Sequence, residues 1–278
     1  MIDLHVHSTF SDGSCTPREL AELAKETGLS AVALTDHDST AGLGLFTQAC
    51  NELGVEAVPG VEISAEPLHG TLHLLGYYFD IENAALQAAL LEIRDGRRLR
   101  NERMLQKLNE LGCQLDWDEV AAFAGEEVVG RPHFAQAMLA RGYVADKAEV
   151  FDKYLGKGKA AYVERFRLSP TDAIRLIRDA GGIAVLAHPF SLQMSKATLK
   201  DFVKSLAELG LGGIEVFYSE HSPEQISIYS GLAAAYGLLL TGGSDFHGDA
   251  NPRVKLGRGF GNLRVADELL EKLKARLG

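Results

Sequence analysis

The sequence predicts an α/β fold in which about seven strands alternate with helices in a barrel-like, mainly parallel array, interrupted by an inserted helical subdomain. Three observations carry this. Short β-branched runs alternate with helical patterns from the first residue onward. Strand runs then vanish between about 84 and 164, where helical segments follow one another. The unusual polar residues fall at the ends of the strand runs, which in a parallel barrel share the face where sites are built. The 278 residues are about twice the ~150 of one ordinary domain. The pattern favours one large domain, a barrel from 1–83 and 165–278, with a helical insertion at 84–164.

Strands are expected at 2–7, 31–35, 55–63, 71–79, 183–187, 213–217 and 238–241, each a short apolar or β-branched run bounded by turn residues. Three helix starts carry the same capping logic: Thr16-Pro17-Arg18-Glu19, Ser169-Pro170-Thr171-Asp172 and Ser222-Pro223-Glu224-Gln225. Each offers an N-cap hydroxyl, a proline at the first helical position and an acceptor three residues on. Within the insertion, helices are expected at 84–111, 117–124, 133–141 and 147–155, and a closing helix at 265–277. Glycines mark loops at 125–130 and 156–158, where a protease should enter first.

Composition excludes several classes. Hydrophobic residues make up 46% and charged residues 24%, so the chain is neither disordered nor fibrous. The longest nearly apolar run, 231–240, is far short of the ~20 residues that span a bilayer. The opening Met-Ile-Asp-Leu-His-Val-His lacks the basic-then-apolar order of a signal peptide, so the expected mature start is here and the expected location cytoplasmic. A net charge of −10 opposes adhesion to membrane surfaces or nucleic acid, and no stable DNA partner is expected. Phosphate chemistry must then use local cations. The three cysteines, Cys15, Cys50 and Cys113, are odd in number and widely spaced, so disulfides are not expected.

The nine histidines are ordinary in number but not in placement. His5 and His7 close the first strand, Asp36 and His37 follow the second, and Glu62 lies at the third. His73 lies in the fourth, His188 follows the fifth, and Asp245 and His247 follow the last. Residues two apart in a strand point to one face, so His5 and His7 can reach one centre. Imidazoles and carboxylates without thiolates suit manganese, zinc, iron or cobalt in a catalytic site better than a structural zinc. Ser11-Asp12-Gly13-Ser14, taken alone, reads as a turn.

At these residues a family resemblance emerges. His5-Val6-His7-Ser8, Thr35-Asp36-His37-Asp38, Gly60-Val61-Glu62, Ala187-His188-Pro189 and Ser244-Asp245-Phe246-His247 resemble the motifs of the PHP (polymerase and histidinol phosphatase) phosphoesterases. The resemblance implies a distorted seven-stranded (β/α) barrel of PHP/amidohydrolase type holding two or three divalent cations, manganese foremost. By position, one cation would take His5, His7, Glu62 and Asp245. A second would take Glu62, His73 and His188, with Glu62 bridging, and a third Asp12, His37 and His247. Asp36 and Asp38 are assigned to a supporting layer, orienting imidazoles or capping the next helix.

Gly130-Arg131-Pro132-His133 and the run from Tyr154 to Tyr162, with Lys157 and Lys159 around Gly158, resemble stand-alone members that remove the 3'-phosphate of nucleoside 3',5'-bisphosphates. Some of these also trim short RNA from its 5' end. The resemblance makes the insertion a substrate lid, with Arg131 and His133 orienting substrate. Lys157 and Lys159 either hold a phosphate or form a solvated loop. Arg94, Arg97, Arg98, Arg100 and Arg103 read as the wet face of a helix. The expected reaction is hydrolysis of a phosphomonoester by a water whose pKa the cations lower. His221, soon after the sixth strand, is the candidate acid for the leaving group. Histidinol-phosphate hydrolysis, a nuclease module and a silent metal-binding regulatory module are the competing readings.

Overall fold

The computed structural model describes residues 1–124 and 129–277, so the expected protease-entry stretch at 125–130 lies largely outside the described residues. The chain divides into two compact units, Met1–Leu90 with Leu168–Gly278, and Leu91–Arg167. The expected junctions at 84 and 164 fall a few residues before these.

The first unit is a seven-stranded sheet whose strands neighbour one another in chain order. They are β1 (Ile2–Val6), β2 (Ala31–Leu34), β3 (Glu56–Ala65), β4 (Leu72–Tyr77), β5 (Ile183–Leu186), β6 (Gly213–Tyr218) and β7 (Leu239–Gly243). Past the end of β7, the chain returns to β1. The His7 N–H donates to Phe246 O at 2.9 Å and the Asp245 N–H to His5 O at 2.8 Å, which brings the barrel nearly to closure.

The array is mainly parallel, as expected, with one strand reversed. β4 runs antiparallel to both β3 and β5, while the remaining pairs are parallel. The β3–β4 connection is a short return that reverses direction, which a parallel crossover of a dozen or more residues would not do. Because β4 is reversed, its start lies beside the end of β3, with Ser64 opposite His73 and Glu62 opposite Leu75. His73 therefore reaches the shared face from the beginning of its strand.

The helices of this unit are α1 (Pro17–Thr27), α2 (Leu43–Leu53), the first turns of α3 (Ala84–Glu110), and, after the insertion, those at Pro170–Asp179, Lys196–Glu208, Pro223–Tyr236 and Asp267–Ala275. The capping signals form as read. Thr16 and Glu19 make a reciprocal box at α1, and Ser222 and Gln225 do so at Pro223–Tyr236. Ser169 accepts from the Asp172 N–H. One core joins Ile2, Leu4, Ala31, Ala33, Val58, Leu75, Tyr77 and Val185 to Leu269, Leu270 and Leu273 of the last helix.

The second unit continues α3 and adds α4 (Trp117–Ala122), α5 (Arg131–Ala140) and α6 (Lys147–Val150). Its own core contains Met104, Leu108, Val120, Phe134, Met138, Val150 and Leu155. The expected wet face on α3 is corrected in one place: Arg98 and Arg103 are exposed, but Arg100 is buried at 6% exposure. Among the described residues, no helix is long and apolar enough to cross a membrane.

Candidate metal centre

β1 presents His5 and His7 on one face, as the strand period requires, with ring centroids 5.2 Å apart. Asp3, one step earlier on the same strand, fixes that end of the barrel. Its carboxylate accepts the Ser244 N–H at 2.8 Å, the Ser244 hydroxyl at 2.6 Å and the Gly257 N–H at 2.7 Å.

Glu62 stands at the middle of the site, and its two oxygens face different imidazoles. Oε1 lies 2.8 Å from His73 Nδ1 and 2.9 Å from His188 Nε2. Oε2 lies 3.4 Å from His5 Nε2, 3.3 Å from His7 Nε2 and 3.0 Å from His37 Nδ1. Asp245 Oδ1 comes within 3.3 Å of His5 Nε2 and 3.1 Å of His7 Nε2. Asp12 lies between His247 Nε2, at 3.2 Å, and His37 Nε2, at 3.5 Å. Among the described residues, three groups have ligand atoms close enough to share an ion: His5, His7, Glu62 and Asp245; His7, Asp12, His37 and His247; and His37, Glu62 and His73.

These groups include the nine side chains singled out from sequence except His188, which reaches the centre through Glu62. Two pairings differ from the arrangement the resemblance implies: His7 also faces Asp12, with Nδ1 3.5 Å from Asp12 Oδ1, and so joins the His37 and His247 group. His37 faces Glu62 as well as Asp12, because the chain after β2 stays paired to β3, with the Asp38 N–H donating to Glu62 O at 2.9 Å.

Outer contacts set which imidazole nitrogen points inward. His5 Nδ1 lies 3.0 Å from Glu215 Oε1, His188 Nδ1 3.0 Å from Ser191 Oγ, and His247 Nδ1 2.9 Å from Asp245 O. With Nδ1 carrying the proton, each leaves an Nε2 lone pair for the centre. Glu215 was not singled out from sequence, nor was Tyr218, whose hydroxyl donates to Asp245 Oδ2 at 2.7 Å. A glutamate inside the apolar strand Gly213–Tyr218 was the available signal for the first.

Asp36 and Asp38 support the site through hydroxyls and backbone. Asp36 accepts from the Ser8 N–H and hydroxyl and the Ser11 hydroxyl, and Ser11 Oγ in turn lies 3.4 Å from His7 Nδ1. Asp38 accepts from the Ser64 N–H and hydroxyl. Three of the loop residues, Asp38, His188 and Asp245, adopt positive φ of 54°, 22° and 56°. Strain of this kind persists where surrounding contacts over-determine it.

His221 sits elsewhere. Its ring packs against Phe190, Tyr218 and Tyr229, its Nδ1–H donates to Val216 O at 2.8 Å, and burial pushes its pKa below the ordinary value. That tautomer leaves Nε2 without a proton to give. In the second unit, His133 Nδ1 accepts the Gly130 N–H, Arg131 lies beside Tyr162, and Lys157 and Lys159 are exposed.

Burial opposes charge throughout the centre. At His7, Asp245, Glu62 and Asp12 overcome it and hold the pKa up to about 10; Glu215, Asp245 and Glu62 likewise raise His5. Burial prevails at His37, pushed down to about 4. Despite their own burial, Glu62, Asp245 and Asp12 are held below the usual carboxylate range by the imidazoles. The donor set fits divalent cations. Among the described residues, Nε2 of His5 and His7 and Nδ1 of His37 are buried without an aligned hydrogen bond, an arrangement that is costly unless a cation takes their lone pairs.

Comparison with known proteins agrees. Residues 3–153 match the PHP domain. The chain is 36% identical over 247 residues to a 3',5'-nucleoside bisphosphate phosphatase of Chromobacterium violaceum, covering 88% of this chain and 87% of that protein. It is 34% identical over 258 residues to the 5'-3' exoribonuclease Rnm of Salmonella typhimurium, covering 92% and 88%. A solved structure described as a metal-dependent phosphoesterase from Bifidobacterium adolescentis matches with a TM-score of 0.81 at 32% identity, over 99% of this chain and 96% of that one. These spans include the helical insertion, so the likeness is not confined to the barrel.

Proposed function

The chain belongs to the PHP family of metal-dependent phosphoesterases and is a hydrolase of phosphoester bonds; from that premise, we propose that it removes the 3'-phosphate of a nucleoside 3',5'-bisphosphate. The near full-length likeness to a bisphosphate phosphatase is the observation that carries this choice of substrate. We assign His5, His7, Glu62 and Asp245 to one cation, Glu62, His73 and His188 to a second, and Asp12, His37 and His247 to a third, with manganese foremost.

Divalent cations bound there would lower the pKa of water and neutralise phosphoryl charge. The chain's own part is to hold them and to hold the substrate. Glu215, Ser191 and the Asp245 carbonyl keep imidazole protons on the outer nitrogens, so the inner ones stay available. Arg131, His133, Lys157 and Lys159 are the proposed contacts to the phosphate that is not cleaved, arginine through its planar fork and lysine as a point charge. Binding energy from that phosphate positions the reacting one.

A product-resolved assay with added manganese tests this. Nucleoside 3',5'-bisphosphate should yield inorganic phosphate and the 5'-monophosphate. The nucleoside 3'-monophosphate should be poorer by about 10- to 150-fold in kcat/KM, the worth of one charged contact. Equal kcat/KM would sink the reading and favour histidinol phosphate or another monoester. The likeness to an exoribonuclease favours a second reading, cleavage of short RNA from its 5' end, and short 5'-phosphorylated RNA belongs in the same assay.

A further inference from the structure

β6 carries two polar side chains to the metal centre at a spacing that a regular strand would not allow. Glu215 lies opposite Thr241 on β7, Phe217 opposite Gly242 and Tyr218 opposite Gly243, so β6 advances two residues where β7 advances one. In a regular strand, residues three apart point to opposite faces; one extra residue turns the second round to the face of the first. Glu215 accordingly meets His5, and Tyr218 meets Asp245. The bulge is what brings a phenol to this carboxylate.

The tyrosine is held so that its hydroxyl has a fixed target. At 8% exposure, its ring packs against those of His188, Phe190 and His221, with centroids 5.4, 5.6 and 5.0 Å away. The hydroxyl donates to Asp245 Oδ2 at 2.7 Å, the length of a charge-assisted bond. Oδ1 is the oxygen that faces His5 Nε2 and His7 Nε2. Ser219, the next residue, donates to Ser244 O at 2.6 Å, so this end of β6 holds both the backbone and the side chain of the turn after β7. Asp245 itself has φ 56°, a conformation that persists where such contacts fix it.

The two oxygens of Asp245 are thus unlike. Oδ2 shares its charge with the phenol, and the hydrogen bond fixes the plane of the carboxylate, which leaves Oδ1 as the oxygen offered to the centre. The difference matters most for large cations. Calcium takes about six to eight oxygen ligands and often both oxygens of one carboxylate, whereas smaller divalent cations need fewer and combine more readily with imidazole. We propose that Tyr218 is a positioning residue that restricts Asp245 to ligation through Oδ1, and that this restriction makes the centre select smaller divalent cations such as manganese against calcium. The inference rests on the assignment of Asp245 to the cation shared with His5, His7 and Glu62.

The test is calorimetric titration of the full chain, stripped of metal with chelator, with manganese and with calcium in separate runs. Wild type should bind manganese about tenfold or more tightly than calcium; equal affinities would overturn the proposal, and that comparison needs no variant to fold. Tyr218→Phe keeps the ring and removes only the hydroxyl. Its manganese affinity should fall about 10- to 100-fold, the usual cost of an outer contact, while calcium affinity holds or rises, so the ratio moves toward calcium by about tenfold or more. A tyrosine that only packs would leave both affinities unchanged, and one that only supports the fold would lower both by the same factor; either result overturns the proposal. Asp245→Ala separates the proposal from its premise. Wild-type manganese binding in that variant would remove the assignment of Asp245 to a cation, whereas weakened binding there, with an unchanged ratio in Tyr218→Phe, would remove the role of Tyr218 alone.

Discussion

His5 Nδ1 and Glu215 Oε1 stand 3.0 Å apart with both side chains closed to solvent, and the other oxygen of the same carboxylate accepts the His188 N–H at 2.8 Å. One glutamate on β6 thereby orients a histidine of β1 and the backbone of the histidine that follows β5.

Glu215→Gln should expose that double duty. A glutamine offers one acceptor oxygen, so either the His5 proton or the His188 N–H must face an NH2 group. Cation affinity should fall by about 10- to 100-fold, the usual cost of an outer-layer change, with the fold retained. Metal titration of the folded variant checks this, and wild-type affinity would show that Glu215 only fills space.

Glu62→Ala should be more damaging than Glu215→Gln. It removes both oxygens that separate the His73/His188 side from the His5/His7/His37 side. Turnover should fall beyond the ~10–100-fold range of outer contacts, while circular dichroism stays close to wild type. A variant that kept most of its kcat would show that Glu62 does not bridge.

Gly243 sits where the end of β7 meets β1. A Cβ there would stand 2.4 Å from the backbone nitrogen of His5 and 2.4 Å from its Cβ, and backbone cannot rotate away. Gly243→Ala should lose about 1–3 kcal/mol or more through overpacking and weaken cation binding as well, because the displaced residue is His5. Denaturant midpoints and metal titration together check it. A stable variant with weak metal binding, or the reverse, would contradict the coupling.

Acid stability should carry a signature of His221. Burial lowers its pKa in the folded chain, so the unfolded chain takes up this proton first as pH falls below about 6.5. Stability is then lost from that pH downward until the folded value is reached. His221→Gln should flatten the decline by at most about 1.4 kcal/mol per pH unit, read from urea midpoints between about pH 8 and about pH 5. Parallel pH profiles would mean that His221 titrates alike in both states.

Much of this molecule is set by local pattern. The caps at Thr16, Ser169 and Ser222 form because hydroxyl, proline and acceptor lie within one turn, a spacing any helix start can use. His5 and His7 share a face because a strand repeats every two residues. Polar residues at strand ends, among them Glu62, His188 and Asp245, stand out because those positions follow apolar runs. What local pattern leaves open is decided by chain closure. Only the reversal of β4 sets His73 beside Glu62, and a reversed strand has the same alternation as a parallel one. Glu215 reads as one polar residue in an apolar strand until β1 and β5 bring His5 and His188 to it. Arg100 reads as one more cation on a charged helix, since helical periodicity names the faces but not which of them the rest of the chain will cover. Spacing along the chain specifies which way a side chain points, and the tertiary structure alone supplies what it meets there.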